Sequence, residues 1–407
     1  MAAGPPRGPL AGLRILEIGH FVAAPFCTRL LADLGADVIK IEPPTGDPVR
    51  QWGAQCNGHS LWWSVHGRNK RSVTLDLKHP KAPEILLKMI ARCDALVENL
   101  RPGHLDKLQL GVDRLRAAKP DLVIAHISGF GQSGPYRDRA AFGVIGEAMG
   151  GLRYLTNHDP EESDLPPVRA GISIGDSIAG LYAAFGVLAG LWNRDRGTGT
   201  GRVQSIDVAL TESVFSLMEG MLAEYSVLGL VRQPVGSRIA TTAPSSAYPT
   251  KDGRWLVIAA NSDRLCARLL EAIGQPHLAA DGRFADNATR LQNVKALDAV
   301  IAGWTRERSI VEAEDLLVAA DIPCCKAYTI ADCATDPQFI ARGMVQDVYD
   351  DNLGAMLHPG IVPHVPDNPG RIRWPGPAIG AHTREVLQEL AGLGTEEIDR
   401  LGEYGVI

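Results

Sequence analysis

Over its first 210 residues the chain alternates short apolar, β-branched runs with longer stretches whose apolar positions recur at helical spacing. Continuous apolar runs of this length are typical of strands that are buried on both faces. The predicted strands cover 13–18, 37–42, 72–77, 95–100, 122–127 and 202–210, and the predicted helices cover 25–34, 80–92, 142–153 and 175–193. This alternation predicts an α/β fold whose large domain is doubly wound and Rossmann-like, with a mostly parallel sheet between helices.

A second domain is predicted after a long helical pattern at 211–230 and a loop rich in proline, serine and threonine at 233–250. Beyond this loop the pattern predicts a smaller α+β domain. Its strands cover 255–260 and 326–330, and its helices cover 265–273, 287–305 and 311–320. A helical tail at 382–401 follows, and the pattern alone assigns it to neither domain.

Charge and hydropathy exclude several classes of protein. The 41 basic and 47 acidic residues leave a net charge of −6, so no bulk positive field attracts nucleic acid or an acidic membrane. The longest apolar run, 178–192, contains three glycines and is shorter than the roughly 20 residues that span a bilayer, so we expect a core helix. The first ten residues lack the pattern of a signal or transit peptide, which favours a cytoplasmic protein.

Cysteine spacing and one glycine motif bear on cofactor chemistry. The seven cysteines include no C-x-x-C pair, so we predict reduced thiols and no metal site. Adjacent Cys324 and Cys325 remain an alternative redox pair. Residues 129–134 match G-x-G-x-x-G, but Pro135 follows at once, which favours a glycine loop over a nicotinamide site.

Polar residues beside the predicted strands are candidates for ligand binding. His20 lies in a turn of small residues after the first strand, where it is either a ligand contact or an ordinary loop histidine. Basic residues near the next strands are either phosphate contacts or a solvated charge run; they are Arg68, Lys70, Arg71, Lys78, Arg101 and Lys107.

Asp176 stands between Gly175 and Ser177 at the start of an otherwise uncharged helical pattern. A helix N-terminus favours an ionised carboxylate, so the residue is suited both to capping the helix and to catalysis. Its own position leaves these two roles open.

Six sequence blocks in order resemble the family III CoA-transferases, almost from end to end. They are LAGLRIL at 10–16, LGADVIKIE at 34–42, NKRSVTLDLK at 69–78, VENLRPG at 97–103, GISIGDSIAG at 171–180 and TGTGRV at 198–203. The resemblance implies a CoA-transferase that binds CoA and acyl-CoA as substrates and holds no permanent cofactor. It also implies that Asp176 is the catalytic nucleophile, which accepts the acyl group as a mixed anhydride and then CoA as an aspartyl thioester.

The resemblance also assigns binding residues by motif position. The implied CoA contacts are His20, Val22, Ala23, Leu75, Lys78, Asn99, Leu100, Arg101 and Lys107, with Lys78 and Lys107 at the phosphates. Aromatic residues of an acyl pocket fall at Trp52, Trp62 and Phe142. Pro43 departs from members with arginine near the adenine, and the missing glycine run around 243–250 argues against oxalate as acceptor.

Arg153 and Arg169 are candidates to bind the distal carboxylate of a dicarboxylic acid; alternatively they pair with Glu147 or Asp164. Similar sequences that carry GEAMGG, here at 146–151, indicate succinyl-CoA as donor and a C4 to C6 dicarboxylate as acceptor.

The same resemblance leaves two alternative functions open and implies an oligomeric state. The related α-methylacyl-CoA racemases use a histidine in a segment that reads AFGV here, at 141–144, so we favour the transferase over a racemase. A CoA-binding relative without catalysis is the other alternative. Family members form interlocked homodimers, which predicts a large domain of 1–215 plus 335–407 and a small domain of 216–334.

Overall fold

A computed structural model describes residues 8–196 and 205–407. The motif at 198–203 and the first residues of the strand predicted at 202–210 lie outside these residues. Two compact units are present: one comprises Met1–Leu152, Ala170–Glu219 and Pro337–Ile407, and the other Arg153–Arg169 and Gly220–Asp336. Residues 153–169, which the sequence analysis placed in the large domain, therefore group with the second unit.

The strands of the described residues are numbered along the chain. They are β1 (Arg14–Ile18), β2 (Asp37–Glu42), β3 (Gln55–Cys56), β4 (His59–Ser60), β5 (Lys70–Thr74), β6 (Ala95–Glu98), β7 (Val123–Ser128), β8 (Ser205–Ala209), β9 (Ser245–Pro249), β10 (Trp255–Ala259), β11 (Cys324–Lys326), β12 (Val345–Asp350) and β13 (Gly354–Pro359).

The α-helices are numbered in the same way. They are α1 (Ala23–Asp33), α2 (Leu61–His66), α3 (Ala82–Ile90), α4 (His104–Lys107), α5 (Val112–Ala118), α6 (Gly143–Met149), α7 (Leu152–Leu155), α8 (Ile174–Arg196), α9 (Leu210–Phe215), α10 (Met221–Leu228), α11 (Asp263–Ala272), α12 (Asn287–Gln292), α13 (Val294–Arg306), α14 (Ile310–Ala319), α15 (Ile330–Thr335), α16 (Pro337–Ala341), α17 (Thr383–Ala391) and α18 (Thr395–Glu403). Short 3-10 helices lie at Pro48–Gln51 and Pro276–Ala280.

The first unit is built on a parallel sheet in the order β5-β2-β1-β6-β7-β8. Successive residues of a strand face opposite sides, so Ile15 joins the core under α1 and α8 while Leu16 joins the core under α3 and α17. The predicted α/β fold with a parallel sheet is confirmed. Its strand order reverses direction between β1 and β6, and ligands of open α/β sheets bind at such a switch point.

Helix α8 is long and apolar enough to cross a membrane by length and composition. Within the first unit, however, its glycine-bearing face packs against the sheet and against α1. A Cβ atom built at Gly180 would lie 2.8 Å from the Ala23 carbonyl oxygen, and one at Gly190 would lie 2.8 Å from the side chain of Val123. This close packing is typical of a core helix.

The second unit has its own sheet and core. Strands β9, β10 and β11 pair antiparallel, and Tyr248, Leu256 and Ile258 pack beneath α11, α13 and α14. The tail that the pattern left unassigned belongs to the first unit. There Thr383 Oγ1 accepts a hydrogen bond of 2.9 Å from the Thr74 amide, and Arg71 pairs with Glu389 at 2.7 Å.

Several long helical patterns are interrupted in the structure. The helix predicted at 142–153 forms over Gly143–Met149 as α6 but does not continue to residue 153, because Gly151 adopts φ 91° between α6 and α7. The pattern at 211–230 divides into α9 and α10, and the tail divides at Gly392, which adopts φ 65°. The strand predicted at 326–330 ends at Lys326, since the Thr329 side chain caps α15.

Candidate active site

The turn after β1 lies at the switch point of the sheet and is joined to the loop after β6. Asn99 Oδ1 accepts a hydrogen bond of 2.9 Å from the His20 amide, and Asn99 Nδ2 donates one of 2.9 Å to the His20 carbonyl. Burial, together with the nearby Lys40 charge, lowers the pKa of His20. The imidazole is therefore neutral at physiological pH and suited to hydrogen bonding.

Asp176 is the third residue of α8, so it lies within the first helical turn and is not the N-cap. Its carboxylate lies against Gly143, the first residue of α6: a Cβ atom built there would lie 2.6 Å from Asp176 Cγ. A Cβ at Gly175 would in turn lie 2.5 Å from the Gly143 carbonyl oxygen. Two glycines thus let two helix N-termini meet at one carboxylate, where their dipoles favour negative charge.

An aromatic cluster adjoins Asp176 through the N-cap residue of α6, Phe142. It comprises Phe21, Trp52, Trp62, His66 and Phe142, joined by ring-centroid distances of 6.0 Å for Phe142–Phe21, 4.8 Å for Phe21–Trp52, 5.8 Å for Trp52–Trp62 and 5.5 Å for Trp62–His66. Phe142 and Trp52 are exposed. The structure therefore brings the three predicted pocket residues together and adds Phe21 and His66, which the sequence analysis missed.

A buried charge network of Glu17, Lys40, Asp47 and Lys70 lies under the turn after β1. Lys40 Nζ contacts Glu17 Oε1, Asp47 Oδ2 and the Gly19 carbonyl, each at 2.7 Å. Lys70 Nζ contacts Glu17 Oε2 at 2.8 Å and the Pro25 carbonyl at 2.7 Å. Two buried cations thus face two buried anions, and the lysines also bind backbone carbonyls, Lys40 in the turn before α1 and Lys70 in the first turn of α1.

The charges of this network shift its titrations. Burial raises the pKa of Glu17, but the charges and hydrogen bonds of Lys40 and Lys70 outweigh it and hold the pKa at about 2. Burial lowers the pKa of Lys70 to about 8, against the opposing effect of Glu17. Glu17 is therefore ionised throughout the physiological range.

The remaining predicted CoA contacts differ in exposure. Lys78, Arg101 and Lys107 are exposed after the carboxyl ends of β5 and β6. Val22, Ala23 and Leu75 are buried, and the Leu75 side chain belongs to the hydrophobic core. Contacts of Leu75 with a ligand would therefore involve its backbone. Leu100 is half-buried, and its amide donates a hydrogen bond of 2.6 Å to Glu98.

The basic cluster of Arg68, Lys70 and Arg71 at the start of β5 is structural. All three residues are buried, so both interpretations drawn from the sequence, phosphate contacts and a solvated charge run, are wrong for them. Arg68 is buried and pairs with Asp33 at 2.7 Å, and Arg71 pairs with Asp37 at 2.6 Å. With Lys70 bound to Glu17, the three cations have carboxylate partners. Because their charges are buried and neutralised by carboxylates, they do not serve as phosphate contacts.

Arg153 and Arg169 belong to the second unit, the first of them half-buried in α7 and the second exposed. Their part in substrate binding stays a prediction. The glycine motif at 129–134 forms a loop after β7, with Gly131 and Gly134 at positive φ, and α6 begins only at Gly143. The described geometry is that of a glycine loop, as the sequence favoured.

Comparison with known proteins identifies the family of the chain. The family model for CoA-transferase family III matches residues 10–383. The succinyl-CoA–D-citramalate CoA-transferase of Chloroflexus aurantiacus is 44% identical over 99% of both chains. The succinyl-CoA:glutarate CoA-transferase of Mus musculus is 32% identical over 98% of this chain and 90% of its own. The crystal structure of a CAIB/BAIF family protein from Brucella suis superposes with a TM-score of 0.82 and 31% identity, covering 94% of this chain and 100% of that one.

These matches extend over nearly the whole chain, and the two named enzymes are transferases, not racemases. The protein is therefore an enzyme that moves CoA from an acyl-CoA to a free carboxylic acid. The chain belongs to CoA-transferase family III.

Proposed function

We propose that the enzyme transfers CoA from succinyl-CoA to a short dicarboxylic acid (C4 to C6) through an aspartyl-CoA thioester on Asp176. The observation that carries the proposal is the Asp176 carboxylate, seated between two helix N-termini beside the aromatic cluster. A carboxylate is ionised at neutral pH and attacks a thioester without a general base.

The exchange balances without water or a net proton. Asp176 attacks the thioester carbonyl, the CoA thiolate leaves, and a mixed anhydride forms. The thiolate attacks the aspartyl carbonyl of this anhydride, which releases succinate and leaves the aspartyl-CoA thioester. The incoming carboxylate and the released thiolate repeat these two steps in reverse order, so that the new acyl-CoA departs and the Asp176 carboxylate is regenerated.

Two features of the site serve this chemistry. The dipoles of α6 and α8 stabilise the negative charge that develops at the carbonyl oxygen during each attack. The aromatic cluster supplies an apolar wall next to Asp176, which excludes the water that would hydrolyse the anhydride or the thioester.

CoA is proposed to bind at the switch point between β1 and β6. His20 and Val22 lie in the loop after β1, Ala23 begins α1, Asn99 and Leu100 lie in the loop after β6, and Leu75 follows β5 on the same edge. Lys78, Arg101 and Lys107 are the exposed cations after these strands, with Lys78 and Lys107 assigned to the phosphates.

The choice of substrates rests on relatives and on two arginines. The names of the Chloroflexus and mouse relatives pair succinyl-CoA with D-citramalate and with glutarate, both of which are dicarboxylates. Arg153 and Arg169 are proposed to bind the carboxylate that does not react, since guanidinium binds carboxylates through two parallel hydrogen bonds.

The proposed assembly is a cytoplasmic, interlocked homodimer. Exposed apolar side chains on α8 and α10, including Phe185, Trp192 and Tyr225, are suited to burial in such an assembly. Sedimentation at micromolar concentration is expected to give the mass of a dimer, and a monomer would contradict this assembly.

Mass spectrometry of the intact protein tests the proposed intermediate. After brief incubation with succinyl-CoA, the wild type is expected to gain the mass of CoA less one water, because CoA is joined to Asp176 as a thioester. Asp176→Asn is the matched control, since it keeps the shape of the side chain without its nucleophilic charge. An adduct of equal yield on Asp176→Asn would show that another residue carries CoA.

Acceptor competition tests the substrate class in the same preparation. Glutarate is expected to discharge the adduct faster than butyrate does, because only the dicarboxylate has a second charge for the arginines. Equal discharge by the two acids would contradict dicarboxylate specificity while leaving the thioester intermediate intact.

A further inference from the structure

Phe21 has a backbone conformation that is rare for a bulky residue. Its φ is 62°, in the left-handed region that favours glycine. Such a conformation costs free energy and persists only where the surrounding structure holds it.

The buried charge network holds one side of this residue. Asp47 Oδ1 accepts hydrogen bonds from the Phe21 amide at 3.2 Å and from the Val49 amide at 2.9 Å. Asp47 Oδ2 binds Lys40 Nζ at 2.7 Å, and Lys40 also holds the Gly19 carbonyl. The side chains of Asp47 and Lys40 are completely buried.

The residue before Phe21 is held as well, because the Asn99 side chain binds both the amide and the carbonyl of His20. Helix α1 begins at Ala23, two residues after Phe21. The direction of the Phe21 side chain is therefore set by groups from β2, from the loop after β2 and from the loop after β6.

This backbone directs the Phe21 ring into the middle of the aromatic cluster. The ring centroid lies 4.8 Å from that of Trp52 and 6.0 Å from that of Phe142, which it meets edge to face. Phe142 directly precedes Gly143, the residue that contacts the Asp176 carboxylate. The ring therefore occupies volume within reach of an acyl group that extends from Asp176 along the cluster.

We propose that Phe21 is a specificity-determining residue that limits the length of the acyl chain, and that Asp47 and Lys40 are positioning residues that hold its ring in place. The inference rests on the proposed function, because it concerns the acyl group that Asp176 receives. A shorter side chain at position 21 leaves Trp52 and Phe142 apart and opens room for further methylene groups between them.

The test compares two CoA donors that differ only in chain length, succinyl-CoA and suberyl-CoA, with one fixed acceptor. Phe21→Ala is expected to shift the ratio of their kcat/KM values toward suberyl-CoA by about tenfold or more, with Phe21→Leu between it and wild type. Phe26→Ala is the matched control: it removes a phenyl ring from the same segment, outside the cluster, and is expected to leave the ratio unchanged. An unchanged ratio in Phe21→Ala would overturn the proposal.

Asp47 variants test the positioning role. Asp47→Ala removes the acceptor of the Phe21 amide hydrogen bond and is expected to shift the kcat/KM ratio toward suberyl-CoA, as Phe21→Ala does. Asp47→Asn keeps an oxygen for that amide and is expected to retain most of the selectivity for succinyl-CoA. In the Phe21→Ala background, Asp47→Ala is expected to shift the kcat/KM ratio no further toward suberyl-CoA, because the ring that Asp47 positions is already absent. If the shifts of the kcat/KM ratio caused by the two substitutions add in the double variant, Asp47 does not act through Phe21.

The proposed substrate class and the chain-length limit set by Phe21 can be contradicted separately. Should wild type accept neither donor, the proposed substrate class is wrong, and the ratio is then measured on a short and a long acyl-CoA of the series that the enzyme does accept. A change of that kcat/KM ratio in Phe21→Ala would support the chain-length limit, and an unchanged ratio would contradict it.

Discussion

Asp176→Ala is expected to lower the rate of CoA transfer by about 10⁴-fold or more, because it removes the only group that forms the proposed covalent intermediate. The affinity for CoA is expected to stay close to that of wild type, since the proposed CoA contacts lie on the loops after β1, β5 and β6. Single-turnover kinetics with isotopically labelled succinate and titration calorimetry with free CoA measure the two effects. A rate within tenfold of wild type would rule out Asp176 as the nucleophile.

Gly143→Ala tests the same step without removing the carboxylate. The added methyl group overlaps Asp176, with only 2.6 Å to its Cγ atom, so the carboxylate has to move. A displacement of this kind is expected to cost about 100-fold in kcat. Gly171→Ala is the matched control, because a Cβ atom there has no neighbour within 4 Å. Full activity in Gly143→Ala would show that the close approach of α6 does not orient Asp176.

The sheet and its ligand-binding edge were predictable because their signals are local. Apolar runs identified the strands, and connection rules then put the turn at His20 and the loop at Asn99 on one edge. The breaks at Gly151 and Gly392 were not predicted, because apolar periodicity continues across a glycine whose positive φ ends the helix.

The contacts that shape the site were harder to predict because they are long-range. Glu17 and Lys40 are charged residues inside apolar strands, and that pattern signals a buried partner without identifying it. Only the register of β1 with β2, which pairs Glu17 with Lys40, shows which charges meet. In the same way no sequence pattern joins Phe21 to Trp52, since the ring direction depends on the hydrogen bond that the Phe21 amide donates to Asp47.

Glu17→Gln is expected to lower the free energy of unfolding of the first unit by about 3–5 kcal/mol. The substitution leaves Lys40 and Lys70 buried with only Asp47 to balance them. Glu84→Gln is the matched control: it breaks the exposed pair with Arg114 and is expected to cost about 1 kcal/mol or less. Urea unfolding at neutral pH, followed by the fluorescence of the tryptophans, measures both.

The stability that Glu17 contributes is expected to depend on pH. The pKa of Glu17 is about 2 in the folded protein, below its ordinary value of 4.5, so its contribution is complete above pH 4.5 and is lost as the pH falls toward 2. Between pH 4.5 and about pH 3.5 the advantage of wild type over Glu17→Gln is expected to shrink by about 1 kcal/mol. An advantage that stays constant over this interval would show that Glu17 is not held ionised by the two lysines.

The double variant Glu17→Gln/Lys70→Met separates charge balance from packing. It leaves Lys40 paired with Asp47 at 2.7 Å and removes the cation that Glu17 alone neutralised. Part of the stability lost in Glu17→Gln is therefore expected to return, although a further group has been changed. A double variant less stable than Glu17→Gln would mean that Lys70 stabilises the first turn of α1 chiefly through the Pro25 carbonyl, independently of its charge partner.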